Sequence, residues 1–177
     1  PAVAAAAAEV PVLGGLFRVM TFISYNASDG GINYVVSVPR LETDGESELA
    51  RRVNAVVQEK VDAHMAKARQ DWEDYKNAFF ATGGTEEEWA GREMDVIVNY
   101  EVKSQTDTRV SFVVTLAEGW VASMEERYCY NLDLAENRDL TLRDLLGENW
   151  VEICNAAIEE QIAAGTDEDG FTYFFPA

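Results

Sequence analysis

Basic residues are scarce in this chain: 14 Lys and Arg stand against 32 Asp and Glu, a formal net charge of −18 with histidine neutral. Recognition of a phosphate backbone needs a basic footprint, so nucleic acid is excluded as a partner. An anionic lipid surface would repel the chain for the same reason. Long apolar runs are missing too, none approaching the roughly 18 residues of a membrane span. No charged stretch followed by an apolar core reads as a secretory leader. The two cysteines are too few for a disulfide framework. Cys129 lies in an alternating stretch with Arg127 and Asn131, and Cys154 in the apolar stripe of a predicted helix; two free thiols are favoured over one bridge. The lone histidine, His64, has no Cys, His or carboxylate partner at metal-ligand spacing, so it reads as a helix-face residue. No metal and no cofactor is implied.

Catalytic signatures are also missing. There is no nucleophile elbow, no metalloprotease helix motif, no phosphate loop and no dinucleotide fingerprint. A Ser-His-Asp or Cys-His set would have to use His64 in the middle of a long helix. Paired carboxylates for glycoside chemistry come from spatial proximity, and the strand-borne candidates are Glu125, Glu126 and Glu101. Solvated sheet-face carboxylates are the preferred reading, and the chain is expected not to be an enzyme. Gly165 to Gly170 mimics part of a calcium loop, but Gly165 and Pro176 would fall where oxygen donors are needed. It reads as an acidic loop. Asn26-Ala27-Ser28 fits a glycosylation triplet, a pattern common by chance.

What is present suffices for a core: 177 residues, 47% hydrophobic and 11% aromatic. That length suits one domain, or two small ones sharing a sheet. After an alanine run, Ala4 to Ala8, the apolar residues Val12, Leu13, Leu16, Phe17 and Val19 follow at helix-like spacing. Residues 20–26 and 32–38, parted by Ser28-Asp29-Gly30-Gly31, read as a hairpin whose second strand Pro39 should end. Residues 46–81 carry the strongest helical period, with Leu49, Val53, Val56, Val57, the Lys60 stem, Met65, Ala68, Trp72, Tyr75 and Phe79 at steps of three and four. So long a helix is expected to kink or end near Asp71 to Lys76, and Gly83-Gly84 supplies a stop. Thr85 and Glu88 fit a capping box. Alternation along 94–102, 110–116 and 124–134 predicts an antiparallel meander. Thr141 to Gly147 reads as a helical turn, and 149–164 as a helix with Trp150, Ile153, Cys154, Ala157, Ile158 and Ile162 facing in. A strand over 171–175 closes the pattern.

The predicted class is therefore α+β: an antiparallel sheet, or two, covered on one face by a long helix and a second shorter one. Residues 1–19 would form a helical arm and 20–177 a single domain with sub-regions at about 20–91 and 92–177. The acidic excess sits in the second, −12 (6 basic, 18 acidic) against −6 (8 basic, 14 acidic) for residues 1–91.

Two stretches together resemble a known family. Val10-Pro11-Val12-Leu13-Gly14-Gly15-Leu16-Phe17-Arg18-Val19-Met20-Thr21-Phe22 is similar to the juxtamembrane segment of certain bacterial anti-sigma factors. The order that follows, a strand ending Val38-Pro39-Arg40-Leu41, a long helix with Val53-Asn54, a three-strand meander and Leu140-Thr141-Leu142-Arg143-Asp144-Leu145-Leu146, matches the extracellular region of RsiV-type anti-sigma factors. The same module precedes the catalytic domain of some peptidoglycan deacetylases. Members of the family continue past a closing aromatic strand into a further strand, where this sequence has Phe174-Phe175-Pro176-Ala177.

The resemblance implies a sensor on the extracellular face of a bacterial cytoplasmic membrane, part of a single-pass protein whose cytoplasmic segment holds a sigma factor. Its ligand would be a cationic protein such as lysozyme. Binding would expose a signal-peptidase site, and intramembrane proteolysis would follow. Ala2, Val3 and Ala4 form the small-x-small pattern of such a site, and Val12, Leu13, Leu16 and Phe17 the helix that would shield it. The alternative is a non-catalytic accessory domain of a cell-wall enzyme. Net acidity agrees with a cationic partner, through steering and rim complementarity.

Overall fold

The computed structural model describes residues 17–43, 45–119 and 124–165. Ala2, Val3, Ala4, Val12, Leu13 and Leu16, nearly all of the 165–170 loop and the 171–175 strand lie outside them. Five main strands, β1 (Phe17–Asp29), β2 (Ile32–Thr43), β3 (Met94–Gln105), β4 (Arg109–Gly119) and β5 (Met124–Asp133), with a two-residue β6 (Arg138–Asp139), form one sheet in sequence order. Helix α1 (Glu48–Ala81) and the short α2 (Glu86–Trp89) connect β2 to β3. The α+β class predicted from the pattern is the one found.

The sheet is not wholly antiparallel. Ile32 to Val36 of β2 run parallel to Met94 to Val98 of β3, and every other seam is antiparallel. The reason is the long helix: a chain that returns through a helix re-enters the sheet in the direction it left. Hairpin and meander thus become one surface. Met94, Val96 and Val98, then Val110, Phe112, Val114 and Leu116, face the same side as Ile32, Tyr34, Val36 and Val38. Leu49, Val53, Val57, Val61, Met65, Ala68 and Trp72 of α1 cover that side.

Helix α1 runs unbroken through Asp71 to Lys76, where its length predicts a kink. Its 34 residues at ~1.5 Å each span about 50 Å. The apolar stripe reaches Trp72, whose indole Nε1 donates to Gly30 O at 2.9 Å, so the far half stays anchored to the β1–β2 turn. Ser47 caps the start by accepting from Ala50 N–H at 3.2 Å. At the other end Gly83 N–H donates to Phe80 O and Gly84 N–H to Phe79 O, the paired bonds of a Schellman stop. Gly83 sits at φ +92°, which a side chain would resist. The Thr85/Glu88 capping box forms, both of its bonds being present.

Strand β2 does not end at Pro39. It continues to Thr43, and β1 answers with a bulge between Thr21 and Ile23. Inward burial shifts there from even positions to odd, since Val38 and Pro39 are both buried and Leu41 follows. Leu41 sends its N–H and C=O away from β1, to Asn54 on α1. Pro39, two residues earlier, has the same orientation, so its missing donor removes no bond to β1.

Phe17, Arg18 and Val19, expected to close a helical arm, open β1 instead. They pair with Thr43, Glu42 and Leu41, and the Gln105 side chain bridges Phe17 O and Val19 N–H at 3.4 Å each. Phe17 and Val19 pack on the core, which strand pairing provides and an isolated turn of helix would not.

The described residues from Leu140 to Gly165 belong to a second compact unit. Among its described residues, α3 (Leu142–Leu146) begins with a Thr141/Asp144 capping box and α4 (Trp150–Ala164) ends at Gly165, φ +75°. Ile153, Ile158 and Ile162 of α4, expected to face inward, are 46%, 53% and 38% exposed. Cys129 and Cys154 are free thiols. No helix among the described residues is long and apolar enough to cross a membrane.

Candidate functional site

Alternation along β4 fixes one side chain that the apolar pattern does not prepare for. Val110, Phe112, Val114 and Leu116 face α1, and the next even position is Glu118. It is 3% exposed. Across from it on α1 stands His64, at the flank of the Val61–Met65–Ala68 stripe, with a side chain 9% exposed. His64 Nδ1 lies 3.7 Å from Glu118 Oε1, and Lys67 Nζ lies 3.8 Å from the same oxygen. Both distances exceed a hydrogen bond. Glu118 Oε2 and His64 Nε2 have no hydrogen-bond partner among the described residues.

Beside this pair a cleft of about 360 Å³ opens between α1 and the inner face of β5. Val56, Ala63 and Leu116 make it partly apolar, while Glu59, Lys60, His64, Lys67, Glu126 and Tyr128 bring its polar groups. Lys60 Nζ sits 3.8 Å from the centroid of the Tyr128 ring, a cation–π contact at the cleft wall. The Tyr128 hydroxyl donates to the Glu126 carboxylate, and that bond, more than burial, raises the phenol's pKa. Lys67 also donates to Asp71; that bond, assisted by the charges of Glu118, Asp71 and Glu126, holds its ammonium above the ordinary lysine value. Two residues along β5, Tyr130 stacks on Phe112 with centroids 4.8 Å apart, and its buried hydroxyl has no partner among the described residues. Burial pushes that phenol up as well.

The named carboxylates separate. Glu126 points into the cleft, whereas Glu125 pairs with Arg127 on the other side of β5 and Glu101 pairs with Lys103 on the exposed second half of β3. No two of the three converge on a shared opening. His64 does lie on a helix face, as its spacing predicts, but sunk against a carboxylate. The turn pattern places Glu118 in a connector; its even position in the β4 alternation is the signal that could have found it. Among the described residues no three metal-ligating side chains gather in one place. The cleft thus brings together an aromatic face, carboxylates and lysines beside it, and a buried imidazole.

No family profile matches the chain, and no curated protein matches it in sequence. Solved structures do. A member of the DUF3298 family from Bacteroides fragilis superposes with TM-score 0.53 at 15% identity, over 88% of this chain and 76% of its own. A DUF3298 protein from Pseudomonas aeruginosa aligns with TM-score 0.42 at 14% identity, over 86% of this chain and 69% of its own. At such identities the first likeness speaks for the fold alone.

Proposed function

We propose that this chain is the outer, ligand-binding domain of a membrane anti-sigma factor, and that it takes up a cationic protein of the lysozyme kind. The observation that carries the reading is the run Val10 to Phe22, which resembles the juxtamembrane segment of that class and leads directly into β1, at the sheet's edge. The DUF3298 likeness supports it, since RsiV-type outer domains have that fold. The net charge of −18 supports a basic ligand by steering its approach.

In this reading the domain binds without doing chemistry. Uptake of the ligand frees the Ala2-Val3-Ala4 segment for signal peptidase on the extracellular face, and proteolysis within the membrane then releases the sigma factor. A non-catalytic accessory role beside a peptidoglycan-modifying enzyme is the competing reading, because the same module occurs there.

The test uses the whole gene product in membranes. A membrane span and sigma-binding segment upstream, with signal-peptidase cleavage accelerated by a basic lysozyme, is the expected outcome. Equal cleavage with and without lysozyme removes the gating mechanism, and a catalytic domain downstream decides for the accessory role.

A further inference from the structure

We propose that the cleft between α1 and β5 receives the guanidinium of an arginine carried by the cationic partner. The partner rests on the sensor reading above; the chemistry rests on the cleft itself.

The Tyr128 ring already holds a positive charge, Lys60 Nζ at 3.8 Å. Lys60 belongs to the cleft wall and sits on a flexible stem that can swing its ammonium into water. A planar guanidinium stacks on the same ring face and, unlike an ammonium, also presents a fork of donors. Glu126, the acceptor for such a fork, lies two residues away on the same side of β5 and already accepts from Tyr128.

His64 supplies the third contact. Its Nδ1 faces the Glu118 carboxylate at 3.7 Å, so the tautomer with the proton on Nδ1 suits that neighbour and leaves Nε2 as the acceptor. That nitrogen is buried and idle, on a side chain that is nine-tenths buried and lines the cleft. A guanidinium N–H satisfies it once the ring turns toward the cleft, since the atom is closed to solvent as it stands. Glu118 supplies the electrostatic reason: a carboxylate 3% exposed, with one oxygen unpartnered, stands near an imidazole and an ammonium that both fall short of hydrogen-bond range. A further positive charge nearby offsets the cost of burying it. An anionic ligand would meet the Glu59 and Glu126 carboxylates of the cleft wall, while the two lysines there are already engaged, Lys67 by Asp71 and Lys60 by the Tyr128 ring.

Because His64 is the chain's one histidine, its imidazole is an unambiguous reporter. The full 177-residue chain, nitrogen-15 labelled, is titrated at low salt with N-acetyl-arginine methylamide, its lysine counterpart and a basic lysozyme. The Nε2 resonance should shift saturably with the arginine compound and with lysozyme, and less with the lysine compound. Glu126→Gln should weaken arginine binding about three- to tenfold. Lys60→Met removes the resident competitor and should tighten it about two- to fivefold, a gain that misfolding cannot imitate. An unmoved His64 signal at saturating lysozyme, or unchanged or weakened arginine binding in Lys60→Met, overturns the inference and leaves the sensor reading standing. Loss of any lysozyme complex with the arginine response intact overturns the lysozyme reading and supports the cleft assignment.

Discussion

The side chain of Asn54 closes a two-bond ring with the main chain of Leu41. Leu41 N–H donates to Oδ1 at 2.8 Å, and Nδ2 donates to Leu41 O at 2.9 Å. An amide on a helix thereby acts as the next strand for a segment of β2 that β3 does not reach.

Asn54→Ala should therefore cost about 1–3 kcal/mol, because it strands a part-buried donor and acceptor together. Chemical denaturation should show a lower midpoint with an unchanged slope. A loss below a few tenths of a kcal/mol would mean that water replaces the amide there.

Gly31→Ala tests the turn under Trp72. The residue has φ +91°, and an added Cβ would lie 2.7 Å from Trp72 Cζ2. Strain and overpacking together should cost about 2–4 kcal/mol. Gly30→Ala, with open space around it at φ +58°, should cost less, and thermal melts of the two variants give the comparison.

Glu88 carries a pH signature. The backbone N–H of Thr85, with its hydroxyl, holds the carboxyl below its ordinary value of 4.5. A depressed folded-state pKa means stabilisation present above the unfolded value and lost as pH falls through the folded one. Trp89 packs against Trp72, Phe79 and Phe80, so its fluorescence reports the short helix. Wild type and Glu88→Gln should differ near neutral pH and converge at acid pH below 4.5. A difference that persists in acid would sink the assignment.

A basic lysozyme should form a 1:1 complex whose association slows as salt rises. Screening shortens from ~30 Å at 0.01 M to ~8 Å at 0.15 M, so steering fails before contacts do. Calorimetry showing no complex at low salt removes lysozyme as ligand and leaves the sensor class intact.

The purified chain should hydrolyse neither peptidoglycan nor acetylated chitooligosaccharides, with or without divalent metal. Turnover that disappears in Glu126→Gln or Glu125→Gln would overturn the binding-only reading.

Much of this fold is legible because its elements signal locally. The three meander strands, the stop at Gly83-Gly84, the capping box at Thr85 and the helical turn after Thr141 each follow from residues a few positions apart. Less legible are features decided by partners distant in sequence. Pro39 ends a strand by rule, yet here Asn54 takes over the outward bonds of Leu41 and a bulge in β1 absorbs the offset. Phe17 and Val19 fit a helical spacing until Thr43, Leu41 and Gln105 are present to pair with them. The site is harder still. Helical spacing makes Lys60 a stem on the apolar face, and its place over Tyr128 agrees. The meeting of His64 with Glu118 needs the register between a helix and a strand over fifty residues on, and no local pattern encodes that register.

The parallel seam bears on how the chain assembles. Hairpin β1–β2 and meander β3–β5 each close short loops, while the five pairs from Ile32–Met94 to Val36–Val98 bridge a separation of 62 residues. Loop closure makes such a seam slow to nucleate, and few local contacts reward it beforehand. Hairpin and meander can form as cooperative units of their own, with α1 docking as they join. The strip where Tyr34 and Val36 meet Val96 and Val98 should then be the last part of the sheet to seal, so substitutions there are expected to change the unfolding rate more than the folding rate of either part.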